Sequence, residues 1–117
     1  QQNNDNTAKV QMIFDGLNEC DDLSIYHKYI KVLILTKPDP DFFSKIRLDK
    51  SSLSWDVSEA GIKEVFGGEI NQLQQLSTWT STLGVDYFEY KKIIDQRIEV
   101  IQKELKDLLD RLDAGID

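Results

Sequence analysis

The residues of this chain best suited to chemistry lie in its first quarter. Asp15, Glu19, Asp21 and Asp22 bring carboxylates together in a short stretch, and carboxylate oxygens are the ligands that calcium and magnesium prefer. Their spacing departs from the calcium-loop pattern, which needs acids at alternate positions and a glycine at the sixth. A solvated acidic loop holding no metal is the expectation. Cys20 is the only cysteine and His27 the only histidine. A nucleophile activated by His27 would need a glycine-rich loop to receive an oxyanion, and no such loop surrounds either residue. A lone imidazole cannot build a zinc site that calls for two or three, and a lone thiol excludes an internal disulfide. Among 21 acids, no pair is singled out by spacing for glycoside chemistry.

A longer pattern joins Val10 to Asp22, VQMIFDGLNECDD, with Ile30 to Asp41, IKVLILTKPDPD. Together these stretches resemble the Walker B strand and the following sensor strand of NACHT-type signalling ATPases. The resemblance implies two buried strands, with Asp15 beside a magnesium ion, Glu19 orienting water, and Thr36-Lys37-Pro38 standing where the family usually carries Ser-Arg-Pro. It covers only residues 10–41, and no G-x-x-x-x-G-K-[ST] loop occurs anywhere in the sequence to cradle phosphates. A fragment of a NACHT-like nucleotide hydrolase is therefore an alternative function and not the preferred one.

Aromatic residues suggest recognition instead. Trp55, Trp79, Tyr87, Phe88 and Tyr90 fall near expected helix junctions, where such side chains fill a core or, exposed together, make a binding hot spot. With Ile98 and Leu105 on the same final helix, Trp55, Trp79, Tyr87 and Tyr90 form the candidate partner-binding set.

The element that must carry most of these residues is the stretch from Val85 to Leu112. Tyr87, Ile94, Ile98, Ile101, Leu105, Leu108 and Leu112 recur at alternating spacings of three and four, with Lys91 breaking the first repeat. That pattern lays one apolar stripe along a helix. Asp86 with Glu89 reads as a capping box after Gly84. Glu99 with Lys103 and Asp107 with Arg111 are spaced for ion pairs, and Gly115 marks the end. The stripe is widened by Phe88, Tyr90, Ile93, Val100 and Leu109, which favours docking into a core over pairing with a second chain.

Upstream, residues 1–6 are expected to form a flexible tail. Val10, Ile13, Phe14 and Leu17 fit a helix, although Lys9 to Phe14 also fits a short strand. Leu23, Tyr26, Ile30, Leu33 and Ile34 share one helical face, yet the near-continuous apolar run from Ile30 to Leu35 equally suits a buried strand. Lys37-Pro38-Asp39-Pro40 is a break, with Asp39 capping and Pro40 opening a short helix to about Ile46. Asp49 to Ser54 reads as a loop. Asp56 with Glu59 repeats the capping-box pattern ahead of Ile62, Val65 and Phe66. Gly67-Gly68 is expected to interrupt that helix, and Glu69 to Leu83 to continue it.

Composition sets outer limits. The chain has 117 residues, 30% charged and 40% hydrophobic, enough for one domain with a proper core, and membrane insertion is not expected. Its net charge of −7 works against wrapping a phosphate backbone, so no nucleic-acid partner is expected. The charge is uneven: −4 over residues 1–22, +3 over 23–50, −3 over 51–84 and −3 over 85–117.

The expected fold is all-α, with residues 7–117 forming a single small helical domain framed by a C-terminal antiparallel helical hairpin, and a possible short strand near 30–36. The expected function is a non-enzymatic interaction module that presents an amphipathic helical face to a protein partner or to a second copy as a homodimer, without cofactor. An acidic inhibitor or immunity-type protein competing for a basic groove is a further alternative. A cytoplasmic setting is expected, with a secreted or periplasmic one as the alternative.

Overall fold

A computed structural model describes residues 8, 11–13, 15–16, 22–48, 50 and 58–113. Four helices are defined in full: α1 (Leu23–Leu35), α2 (Pro40–Ser44), α3 (Glu59–Ser81) and α4 (Phe88–Asp113). Residues 8, 11–13 and 15–16 are helical as well. The protein is all-α, and no strand occurs among the described residues.

The frame is the hairpin of α3 and α4. Gly84, at φ +102, takes a backbone conformation that L side chains rarely adopt, and a single 3₁₀ turn, Val85–Tyr87, leads into α4. The stripe read from the sequence is spent here: Tyr90, Ile94, Ile98 and Ile101 are buried against Ile62, Phe66, Leu73 and Leu76 of α3 and the residues of α1. Fully burying one such side chain contributes about 1.5–3 kcal/mol. One polar tie fixes the register of the hairpin, since the Ser77 hydroxyl of α3 donates to Asp95 Oδ1 of α4.

Residues 23–50 clasp this hairpin. α1 runs parallel to α3, as Leu23 lies beside Gly68, His27 beside Gln72 and Lys31 over Trp79. Asp22 starts α1 by accepting from the amides of Ser24 and Ile25. At the far end Lys37, at φ 50, turns the chain out of the helix, its amide donating to Ile34 O. The chain then follows α4: Pro38 accepts from the Tyr90 hydroxyl, Phe43 meets the Tyr90 ring edge-on at 5.3 Å, and Ser44 and Ile46 reach Arg97.

Several local expectations need correction. Residues 30–35 belong to α1 and not to a strand; Tyr26, Ile30, Leu33 and Ile34 are its buried face, and tertiary cover on that face outweighs the β-branched composition. Gly67-Gly68 does not interrupt α3, because two glycines cost only about 1 kcal/mol each against a long buried face. The cap of α3 is Ser58, which accepts from Gly61 N at 3.1 Å, while Asp56 lies outside the described residues. Asp86 forms no capping box and instead pairs with Lys37 at 3.6 Å. α2 stops at Ser44, two residues early, although Ile46 is buried as expected. The ion pairs along α4 are Lys91–Asp95 and Lys106–Asp110, in place of Glu99–Lys103 and Asp107–Arg111. The tail at 1–6 and the loop at 51–54 lie outside the described residues.

Candidate functional site

The residues expected to bind a partner are drawn largely inward. Tyr90 and Ile98 are buried core residues, and Trp79, Tyr87 and Leu105 are half-buried and packed against that core. Tyr90 and Tyr87 do meet, with ring centroids 6.2 Å apart, and burial pushes the Tyr90 hydroxyl above its ordinary range, with Tyr87, Asp39 and Glu89 adding to the rise. Trp79 is held apart from them under the Lys31 ammonium at 5.1 Å. Phe88 is exposed, and Trp55 lies outside the described residues. Tyr90, Ile94, Ile98 and Ile101 of the α4 stripe thus lie on the inner face of the hairpin, whereas Leu112 at its end is exposed.

Among the described residues, Asp15, Asp22 and His27 form no common site. Asp15 accepts a hydrogen bond from Gln11 one helical turn away, and since residues 11–13 and 15–16 are helical, Asp15 does not end a strand as the NACHT-type resemblance implied. Thr36-Lys37-Pro38 is the exit from α1, with the Thr36 hydroxyl donating to Leu33 O. Asp22 is an N-cap, and the Ser24 hydroxyl and the Ser24 and Ile25 amides hold its carboxyl below the usual range. Glu19, Cys20 and Asp21 lie outside the described residues. No group of acids, histidine or cysteine able to hold a metal occurs among the described ones. His27 is half-buried; burial pushes its imidazole below the ordinary value, Lys31 adds to the fall, and a hydrogen bond with the backbone of Gln72 opposes it.

Among the described residues, a stripe of exposed apolar side chains lies on α1. Ile25, Tyr29, Val32 and Leu35 follow one another at spacings of four, three and three, which keeps them on one side of the helix. They are exposed to 42%, 36%, 50% and 52%, opposite the buried Tyr26, Ile30, Leu33 and Ile34. Lys28 sits exposed among them. The helix LSIYHKYIKVLIL carries no acid, although the whole chain has a net charge of −7. Before α1, Gly16 lies against the Tyr29 ring of this face; a Cβ there would stand 3.0 Å from Tyr29 Cζ.

The chain matches no protein-family model, no curated protein and no solved structure. The site must be argued from its own geometry.

That geometry is simple: a rigid helix, capped at its start by Asp22 and packed on α3 through one face, offers its other face to solvent. Scattered apolar residues on a surface are ordinary, but a contiguous apolar patch marks an interaction surface. The signal was present in the sequence as the near-continuous apolar run from Ile30 to Leu35, interrupted by Lys31. An apolar run without a polar side in a helix means that both sides meet apolar surroundings. No helix of the described residues is long and apolar enough to cross a membrane.

Proposed function

We propose that the protein is a non-enzymatic interaction module and that the outer face of α1 is its recognition surface. The observation that carries this reading is the stripe of Ile25, Tyr29, Val32 and Leu35, each at least a third exposed, on a helix whose opposite side is already committed to the core. Burial of such side chains by a partner follows the helix-in-groove mode, in which anchors recur at helical spacing.

Charge favours a protein partner over a second copy. Residues 23–50 carry +3 within a chain of −7, so pairing α1 with α1 would face the exposed Lys28 of each copy toward like charge, whereas an acidic rim on a partner would meet it favourably. The partner surface is therefore an apolar groove edged by Asp or Glu.

The test compares wild type with Val32→Asp and Lys28→Glu as baits in extracts of the native host, with quantitative mass spectrometry and light scattering. The reading expects a protein retained by wild type, lost with Val32→Asp and weakened with Lys28→Glu, from a monomeric bait. A dimer abolished by Val32→Asp would replace the partner with a second copy. Capture indifferent to both substitutions would refute the face.

A further inference from the structure

The carbonyl groups of Ser44, the last residue of α2, and of Ile46, two residues on, attract two guanidinium groups at once. Arg97 of α4 donates from Nη2 to Ser44 O at 2.6 Å and from Nη1 to Ile46 O at 2.7 Å. Arg47 donates from Nη1 to the same Ser44 O at 2.9 Å, with Ile46 O at 3.5 Å. One cation at the last carbonyls of a helix is an ordinary capping device. The second brings like charge beside the first and is not needed for that purpose.

Among the described residues, no ion pair joins either guanidinium to a carboxylate. The ion pairs among the described residues are Lys37–Asp86, Lys50–Glu69, Lys63–Glu59, Lys91–Asp95 and Lys106–Asp110, and they leave out both arginines in a chain with 21 acids and 14 bases. Each guanidinium has five N–H donors, and the two carbonyls occupy only part of that capacity.

A cavity of about 210 Å³ opens beside them, lined by Arg47, Arg97, Lys50, Glu69 and Glu104, with Leu48 and Ile101 among its apolar walls. Glu69 is buried and committed to Lys50 at 2.6 Å. Among the described lining residues, the charge facing the cavity without a counterpart therefore belongs to the arginines, opposed by Glu104. The volume corresponds to roughly seven waters of the liquid, below the ~300–1,000 Å³ of pockets for drug-sized ligands. It suits a small anion.

We propose that this cavity binds a small oxyanion, of the carboxylate or phosphate class, between Arg47 and Arg97. Each guanidinium keeps N–H donors that the carbonyls do not use, suited to charge-assisted bonds with oxyanion oxygens, and the bonds to Ser44 and Ile46 hold both groups in place before the ligand arrives. Glu104 faces the same space and disfavours ligands with several negative charges, so the occupant is a compact anion and not a polyanion. The site uses none of the residues on the outer face of α1, and its fate is independent of that reading.

The test is calorimetry and amide NMR on the full chain, titrated separately with inorganic phosphate and with acetate at constant ionic strength set by sodium chloride. Saturable binding of at least one anion is expected at millimolar concentration or below, with shifts at residues 46–48 and 97–101. The better ligand assigns the class. Arg47→Gln, at an exposed position, should weaken binding about tenfold or more, as loss of a charged hydrogen-bond donor does, without changing the melting temperature. Arg97→Lys is the second variant and keeps the charge while losing the fork, so it should weaken binding as well. The absence of saturable binding for both anions, or affinity unchanged in Arg47→Gln, would overturn the assignment.

Discussion

Lys50, ahead of the hairpin in sequence, pairs with Glu69 at the middle of α3, with Nζ 2.6 Å from Oε1 and the Glu69 side chain only 3% exposed. Ion pairs buried in this way rarely stabilise relative to an apolar pair, yet breaking one is costly because a charge is left without its partner. Lys50→Met is expected to destabilise by about 3–5 kcal/mol. Lys50→Met combined with Glu69→Leu should recover most of that loss. Urea unfolding of the four members of this cycle measures the coupling, and additive losses would mean that the two groups do not interact.

Two carboxyls give the stability opposite pH slopes. Burial pushes Glu69 above the usual range, with Lys50 opposing and Glu104 adding to the rise. Its stabilising contribution is complete below the unfolded value and is lost as pH rises through the folded one. Burial also acts to raise Asp95, but Lys91 and the Ser77 hydroxyl outweigh it and hold that carboxyl below the usual range. Its contribution is present above the unfolded value and is lost as pH falls through the folded one. Relative to wild type, Glu69→Gln should therefore gain stability as pH rises from the acid range to neutral, and Asp95→Asn should lose it. Denaturant titrations at several pH values give both slopes, and slopes of the same sign would contradict the assignment.

The two glycines inside α3 should answer differently to alanine. A Cβ at Gly67 meets nothing within 4 Å, whereas one at Gly68 comes within 2.7 Å of Leu23 Cδ1. Gly67→Ala is expected to stabilise by about 0.5–1 kcal/mol from helix propensity. Gly68→Ala should gain less, since the Leu23 side chain must turn away from α3. Thermal melts of both variants order them, and a larger gain at Gly68 would show that α1 does not approach α3 there.

Tyr90 ties α4 to the exit of α1 through its hydroxyl on Pro38 O. Tyr90→Phe removes that donor while keeping the ring against Phe43, and is expected to cost about 1–3 kcal/mol because a buried acceptor is left unmet. An unchanged unfolding midpoint would deny the bond its role.

The hairpin was legible in the sequence because Ile94, Ile98, Ile101 and Leu105 keep strict helical spacing and Gly84 breaks the chain between two such runs. The cap at Asp39 followed by Pro40 was legible for the same local reason. What could not be read was the use of each face. Nothing in the spacing of Tyr90 and Ile98 distinguishes a stripe covered by α3 from one awaiting a partner. In α1 the doubly apolar composition looked as much like a buried strand as a helix with two committed sides. Asp86 illustrates a different limit: its position relative to Glu89 suited a cap, but Lys37, distant in sequence, competes for it. The convergence of Arg47 and Arg97 on the same carbonyls likewise depends on contacts across about fifty positions, which no local pattern records.

We propose that the outer face of α1, and not the stripe of α4, meets other molecules. Photo-crosslinking in the native host tests it most directly, with a photoreactive side chain placed at Val32 in one chain and at the exposed Gln74 of α3 in another. A discrete adduct from position 32 and none from position 74 is the predicted result. Equal adducts from both positions, or an adduct from position 74 alone, would contradict it.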